Sequence, residues 1–410
     1  MPDVSDVVEA VYRIESARII GALARLVGDV GLAEELAQDA LVIALEQWPA
    51  RGVPDDPGPW LMATAKHRAV DHLRRLGNYQ KKLQLVGTVE AFDPESSIVD
   101  ALDDHIGDDT LRLIFTACHP ALTTESQVAV VLRMLGGLRT DEIARAFLTT
   151  EATVSQRILR AKKALRGVAF ELPPPPEIPA RLSAVLGTVY LIFNEGYSAT
   201  AGDDWTRPAL CEEALRLGRV LCGLLPNAAE VHGLSALMEL QASRLGARSS
   251  ADGRPVLLAD QDRRRWDRLL IRRGLAALGR AESLGTLGPY GLQAAIAACH
   301  ARALTFAETD WGRIAALYRL LAHVAPSAVV SLNLAVAVGM ASGPAAGLSL
   351  LDALAASGQL ASYPHLPAAR GEMLSRLGRS AEAREAFLTA AALTRNAAER
   401  ELFTGRAAAS

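Results

Sequence analysis

The 410-residue sequence predicts an all-α protein. Three observations carry that expectation. Ala, Leu and Arg, which are good helix formers, are the commonest residues, and aromatic residues make up only 5%. Apolar residues recur at spacings of three and four along most of the chain. Gly and Pro fall between those periodic segments, where a helix has to end. Half the residues are apolar, and the length allows two or three domains, each with its own core.

Residues 5 to 47 read as two amphipathic helices separated at Gly28-Asp29. The second, from Leu32 to Trp48, turns Leu36, Ala40, Ile43 and Ala44 inward and sets Glu34, Glu35, Gln38 and Asp39 on the outer face. Solvation explains such an acidic face as well as a partner does. A Pro- and Gly-rich loop is expected from Pro49 to Pro59, and Trp60 then opens another helix. That helix gathers Lys66, His67, Arg68, Arg74 and Arg75 beside Trp60. An aromatic beside basic residues can hold melted DNA by stacking and backbone attraction, or Trp60 belongs to the core. Residues 77 to 107 are acidic and lack apolar periodicity, which suits a tether between residues 1–76 and 108–170.

The segment from Leu122 to Arg166 is the most informative. It predicts helices over Thr124–Leu135, ended by Gly136-Gly137, over Thr140–Phe147, and from Glu151 onward with Thr150 as N-cap. In the third helix Val154, Ile158, Ala161 and Leu165 form one buried stripe. The remaining face carries Thr153, Ser155, Gln156, Arg157, Arg160, Lys162 and Lys163, with no acid after Glu151. Two helices across a tight turn, the second polar and then basic, form a helix-turn-helix. Its second helix suits the major groove, where Gln and Arg read base edges and Lys holds phosphates.

Charge is distributed to match. The whole chain carries a formal −3, yet residues 108–170 hold nine Lys/Arg against six Asp/Glu, whereas residues 1–76 hold eight against twelve. DNA affinity would therefore be local and modest.

A second, Pro-rich linker over 171–179 contains Pro173 to Pro176 and makes a stiff spacer. Residues 180–410 then show helix pairs closed by Gly or Pro. The pairs 290–326, 328–357 and 364–394 recur near the tetratricopeptide period. In the last of them Gly371, Ala383, Phe387 and Ala390 occupy the small and aromatic positions. The uncharged stretch Val324–Leu351 is broken at Ser342-Gly343-Pro344 and reads as a buried hairpin rather than a membrane span.

Catalysis has no support in the sequence, and neither a metal nor a cofactor is expected. Cys118-His119 and Cys299-His300 lie far apart in helical surroundings, without the close spacing of a zinc site. Asp260 and Asp262 sit in the loop Asp252–Arg268 without the calcium-loop pattern, so that loop reads as internally paired or as a partner surface. The turn Asn194–Thr200 brings no nucleophile and base together. Four scattered cysteines and an acidic N-terminus without an apolar run suit a reduced, cytoplasmic protein.

Three stretches in order carry a family resemblance: Ala33–Leu41, Pro59–Arg75 and Leu122–Leu165. Together they resemble an extracytoplasmic-function (ECF) sigma factor, with a region-2 domain, an acidic linker and a region-4 helix-turn-helix domain. The layout is similar to the subgroup with a fused, tetratricopeptide-like helical C-terminal domain. Glu35, Leu41 and His67 stand where the family commonly has Asp, an aromatic and Asn. The resemblance implies core RNA polymerase and promoter DNA as partners and no membrane. Residues Thr153, Ser155, Gln156, Arg157, Arg160, Lys162 and Lys163 would meet the −35 element. Trp60, Lys66, His67, Arg68, Arg74 and Arg75 would meet the −10 element, and Glu35, Gln38 and Asp39 the polymerase. A peptide or protein regulator is the expected partner of the C-terminal domain. The alternative is a one-component helix-turn-helix regulator whose repeat domain senses a ligand or peptide.

Overall fold

The computed structural model describes residues 4–84, 106–147, 149–198, 206–250 and 254–410. Their regular structure is helical, apart from an isolated antiparallel bridge between Ser249 and Pro255. The chain divides into two compact units, Met1–Val189 and Tyr190–Ser410. Most of the stretch assigned to the acidic tether, with Glu90 to Asp104, lies outside the described residues.

In the first unit, α1 (Val4–Val27) ends at Gly28, whose φ of 70° a side chain would oppose. Asp29 then caps α2 (Val30–Arg51) by accepting a hydrogen bond from the Leu32 amide at 2.9 Å. The third helix, α3 (Pro57–Gln84), carries past residue 77. Both ends of the expected Pro49–Pro59 loop are therefore helical, and only Gly52–Asp56 separates the two helices. Proline explains the difference: Pro57 sits in the first turn of α3, where a missing N–H costs nothing, and Pro49 lies in the last turn of α2. Ile19, Ile20 and Leu23 of α1, Trp48 of α2 and Leu61 of α3 are fully buried in this core.

Next come α4 (Ile106–Ala117) and α5 (Thr124–Val130), the latter capped by Thr123. A π-helical turn over Val131–Leu135 continues α5 to the Gly136-Gly137 stop, Gly137 having φ 65°. Then follow α6 (Thr140–Ala146) and α7 (Glu151–Leu165). As the periodicity requires, Val154, Ile158, Ala161 and Leu165 are buried, and the Thr150 hydroxyl accepts from the Thr153 amide at 3.1 Å. The last helix begun here is α8 (Ile178–Tyr197), whose residues through Val189 cluster with this unit. Arg181 of α8 donates to the Phe115 carbonyl at 2.7 Å, and the Thr188 hydroxyl donates to Gln127 at 3.3 Å.

The second unit continues with α9 (Pro208–Leu224), α10 (Ala229–Ala242) and the short α11 (Leu245–Arg248). It goes on through α12 (Arg268–Ser283), α13 (Pro289–Arg302), α14 (Trp311–Val324) and α15 (Ala328–Ser342). It closes with α16 (Pro344–Ala356), α17 (His365–Arg376), α18 (Ser380–Leu393) and α19 (Ala397–Ala409). The three expected helix pairs are α13–α14, α15–α16 and α17–α18. Three apolar cores adjoin along them, centred on Leu240 and Trp266, on Ile314 and Leu321, and on Leu351, Met373 and Phe387. Glycine permits the closest approaches. A Cβ on Gly347 would lie 2.7 Å from the Gly339 Cα, and one on Gly371 would lie 2.9 Å from the Phe387 ring.

Candidate promoter and polymerase interface

Within the first unit, the helix-turn-helix places α7 with one face against α5 and α6 and the other toward solvent. Ser155, Gln156, Arg160 and Lys163 are exposed, and Thr153 and Arg157 are half-buried. The Thr153 hydroxyl hydrogen-bonds the capping Thr150 hydroxyl at 2.8 Å, so it also stabilises the start of the helix. Thus Gln156, Arg157 and Arg160 are available to a ligand as a contiguous surface, bordered at the C-terminal end by basic residues.

Lys162 is different. Its side chain is only 18% exposed and its ammonium bridges Glu34, at 2.5 Å, and Glu35, at 3.4 Å, on α2. Glu34 was expected on the outer face of α2, yet it is 3% exposed. Burying a carboxylate is costly unless cations and donors surround it, and here Arg133 of the π-helical turn supplies a second partner at 2.9 Å. Position 34 is one turn beyond Val30 and three residues before Ala37, both buried, so it lies on the apolar stripe. The signal for this in the sequence is a carboxylate at a position of the apolar stripe. Nearby burial pushes the Tyr12 hydroxyl pKa well above its ordinary value, aided by the Glu34 charge.

Other contacts join the same two halves. Asp109 of α4 is 1% exposed and accepts from Arg25 at 3.0 Å and Arg112 at 2.8 Å. Arg13 of α1 pairs with Glu142 of α6, and Arg139 reaches Glu9 at 3.3 Å. A Cβ on Gly21 would lie 3.0 Å from the Asp109 carbonyl oxygen, and one on Gly137 would lie 2.9 Å from the Arg13 Cα. The first two helices are therefore closely apposed to α4 and the helix-turn-helix, with charged pairs between them.

Of the residues expected to meet polymerase, Glu35 and Asp39 are exposed, whereas Gln38 donates to the buried Tyr12 hydroxyl at 2.7 Å. On α3, Trp60 packs edge-on against Trp48, their centroids 5.4 Å apart, and remains partly exposed. His67 and Arg74 follow Trp60 at seven-residue spacing and so share its face. Arg75 is exposed, and Lys66 and Arg68 are half-buried. The structure gathers these basic residues on one helix and sets Lys162 against α2 instead.

The two Cys-His pairs belong to different units. Burial pushes the Cys118 thiol up to about 12, and burial followed by the charges of Arg244 and Arg263 takes His300 down to about 3. Cys118 is thus a packed thiol within the apolar core. In the Asp252–Arg268 loop, Asp262 accepts from both the amide and the guanidinium of Arg264, each at 3.0 Å, while Asp252 lies outside the described residues.

A helix-turn-helix behind a three-helix domain is the arrangement expected of a sigma-70 factor. Family models agree: Sigma-70 region 2 matches residues 11–79 and Sigma-70, region 4 matches residues 112–165. The chain belongs, more closely, to the ECF sigma factors of that family. A family of unknown function, DUF6596, matches residues 181–282. A protein of Rhizobium meliloti (strain 1021), described as uncharacterized, is 44% identical over 93% of this chain and 90% of its own length. The probable ECF RNA polymerase sigma factor SigI of Mycobacterium tuberculosis is 28% identical over 38% of this chain and 54% of that protein. The ECF RNA polymerase sigma factor SigK of Mycolicibacterium vanbaalenii is 28% identical, covering 38% of this chain and 79% of that one. No helix among the described residues is long and apolar enough to cross a membrane.

Proposed function

We propose that the chain directs promoter-specific initiation by core RNA polymerase, with no catalytic activity of its own. The exposed Glu35 and Asp39 on α2 dock on polymerase. The surface of Gln156, Arg157 and Arg160 reads the −35 element, and Lys163 holds a phosphate. Trp60 with the basic face of α3 receives the opened −10 strand, where stacking and backbone attraction are the relevant forces. The observation that carries this reading is α7 itself, apolar and buried on one stripe and polar to basic on the other. Lys162 can hold phosphate only after leaving Glu34, so the reading implies that α2 and α7 part when the factor engages DNA.

In the same reading the second unit regulates the first. Truncation after Glu171 removes Arg181 and Thr188, which tie α8 to the carbonyl of Phe115 and to Gln127. Run-off transcription with purified core polymerase tests all of this. The full chain should initiate at a cognate promoter, Arg157→Ala with Arg160→Ala should relax selectivity, and the 1–171 fragment should be inactive. Each lost base contact should cost about 1–3 kcal/mol of discrimination. Full selectivity in the double variant would show that α7 is not the reading helix, and full activity of the fragment would remove the regulatory role.

A further inference from the structure

The loop residues Leu257 to Asp260 and the helix α19 have no part in the reading above, and within the second unit they line the same cavity. Its volume is about 450 Å³. Four aromatic rings, those of Phe306, Trp311, Phe387 and Phe403, line it together with Met340 and Met373. Leu257 to Asp260 form one lip. Glu372 and Arg376 of α17 and Arg406 of α19 form another wall. This volume lies within the roughly 300–1,000 Å³ usual for small-molecule sites.

The walls are held from behind. Arg263, 5% exposed, donates to the carbonyls of His300 at 2.8 Å and Ala303 at 2.9 Å and to the Thr309 hydroxyl at 2.9 Å. It thereby fixes the segment that carries Phe306 and leads into Trp311, and those two rings pack edge-on with centroids 5.5 Å apart. Gln261 donates to the Val256 carbonyl at 3.0 Å and accepts from Arg244 at 3.3 Å, fixing the loop. On the far side the Thr394 hydroxyl donates to Glu399 at 2.6 Å, and Arg254 pairs with Glu401 at 3.2 Å, which together anchor the start of α19 to its surroundings.

Charge gives the cavity a direction. Arg376, at 2.7 Å, and Arg406 share a single carboxylate, that of Glu372, so this wall carries one positive charge in excess. The Arg406 guanidinium also lies 4.9 Å from the centroid of the Phe387 ring, beside the aromatic lining. The exposed Asp260 belongs to the other lip.

We propose that this cavity binds a small aromatic acid, its ring on Phe306 and Trp311 and its anionic group on the Arg376–Arg406 wall. The site goes beyond the transcription reading and does not depend on it. 8-Anilinonaphthalene-1-sulfonate, a flat aromatic anion, is the direct probe, and N-phenyl-1-naphthylamine is the comparable neutral one. With the full chain, the anionic probe should saturate one site and weaken at least three-fold in Arg376→Gln and at least ten-fold in Arg376→Gln with Arg406→Gln. The neutral probe should change less than two-fold in those variants. Met340→Trp should fill the cavity and abolish binding of both probes at unchanged helicity by circular dichroism. Should Arg406→Gln undock α19, the single Arg376→Gln variant decides. The proposal is overturned if the anionic probe ignores Arg376→Gln, if it survives Met340→Trp, or if the neutral probe weakens equally.

Discussion

The two units hold themselves together by different means. In the first, α1 and α2 meet α4 and the helix-turn-helix through charged pairs: Arg25 with Asp109, Arg133 and Lys162 with Glu34, Arg13 with Glu142. In the second, successive helix pairs share apolar cores that run from Trp266 to Phe387, with Gly339, Gly347 and Gly371 letting backbones and rings approach. An apolar core is lost on opening without replacement, because water offers its atoms nothing in return. An ion pair can be exchanged for another, and both DNA phosphates and a partner surface offer such exchanges. The comparison teaches that the first unit, apolar within its three-helix core, places charge where its parts meet, and contacts of that kind can be exchanged.

The sharpest way to break that contrast is Phe387→Ala in the second unit. The ring is 3% exposed and packs against Gly371, so its loss leaves a cavity that the glycine cannot fill. A destabilisation of about 3–5 kcal/mol is expected. Amide exchange of the slowest protons in α15 to α18 reads it, and unchanged exchange there would deny the core its role. Glu34→Gln is the corresponding change in the first unit. It keeps the shape but removes the charge between Arg133 and Lys162, for an expected loss of about 1–3 kcal/mol. Faster amide exchange in α2 and α7, with α15 to α18 unaffected, is the expected result. Equal exchange throughout would mean that Glu34 does not hold the seam.

The last effect, read as a slope, is a pH dependence of the second unit. His300 is half-buried and neutral, its pKa taken down to about 3 by desolvation and then by the charges of Arg244 and Arg263. The unfolded chain, with an ordinary pKa near 6.5, therefore binds a proton that the folded one refuses. Stability is full above about pH 6.5 and is lost as pH falls toward 3, by up to about 1.4 kcal/mol per pH unit. Denaturant titrations between pH 6.5 and 4.5 should show that slope, and His300→Gln should flatten it. A slope unchanged in the variant would assign it to other groups.

The sequence by itself determined what depends on neighbours along the chain. The buried stripe of Val154, Ile158, Ala161 and Leu165, the Thr150 cap, the Gly28-Asp29 break and the helix pairs from α13 to α18 are local patterns of spacing and capping. The family followed from the order of three such stretches. Only the tertiary structure decided where charge is buried. Glu34 looks like its exposed neighbour Glu35 until Arg133 and Lys162, about a hundred residues away or more, close on it. Asp109 needs Arg25 in the same way. The cavity too draws its walls from Leu257 through Arg406, and no spacing in the chain announces that these side chains converge. The physical reason is range: hydrogen-bonded helices are closed within four residues, whereas desolvation and charge pairing depend on whatever the fold brings alongside.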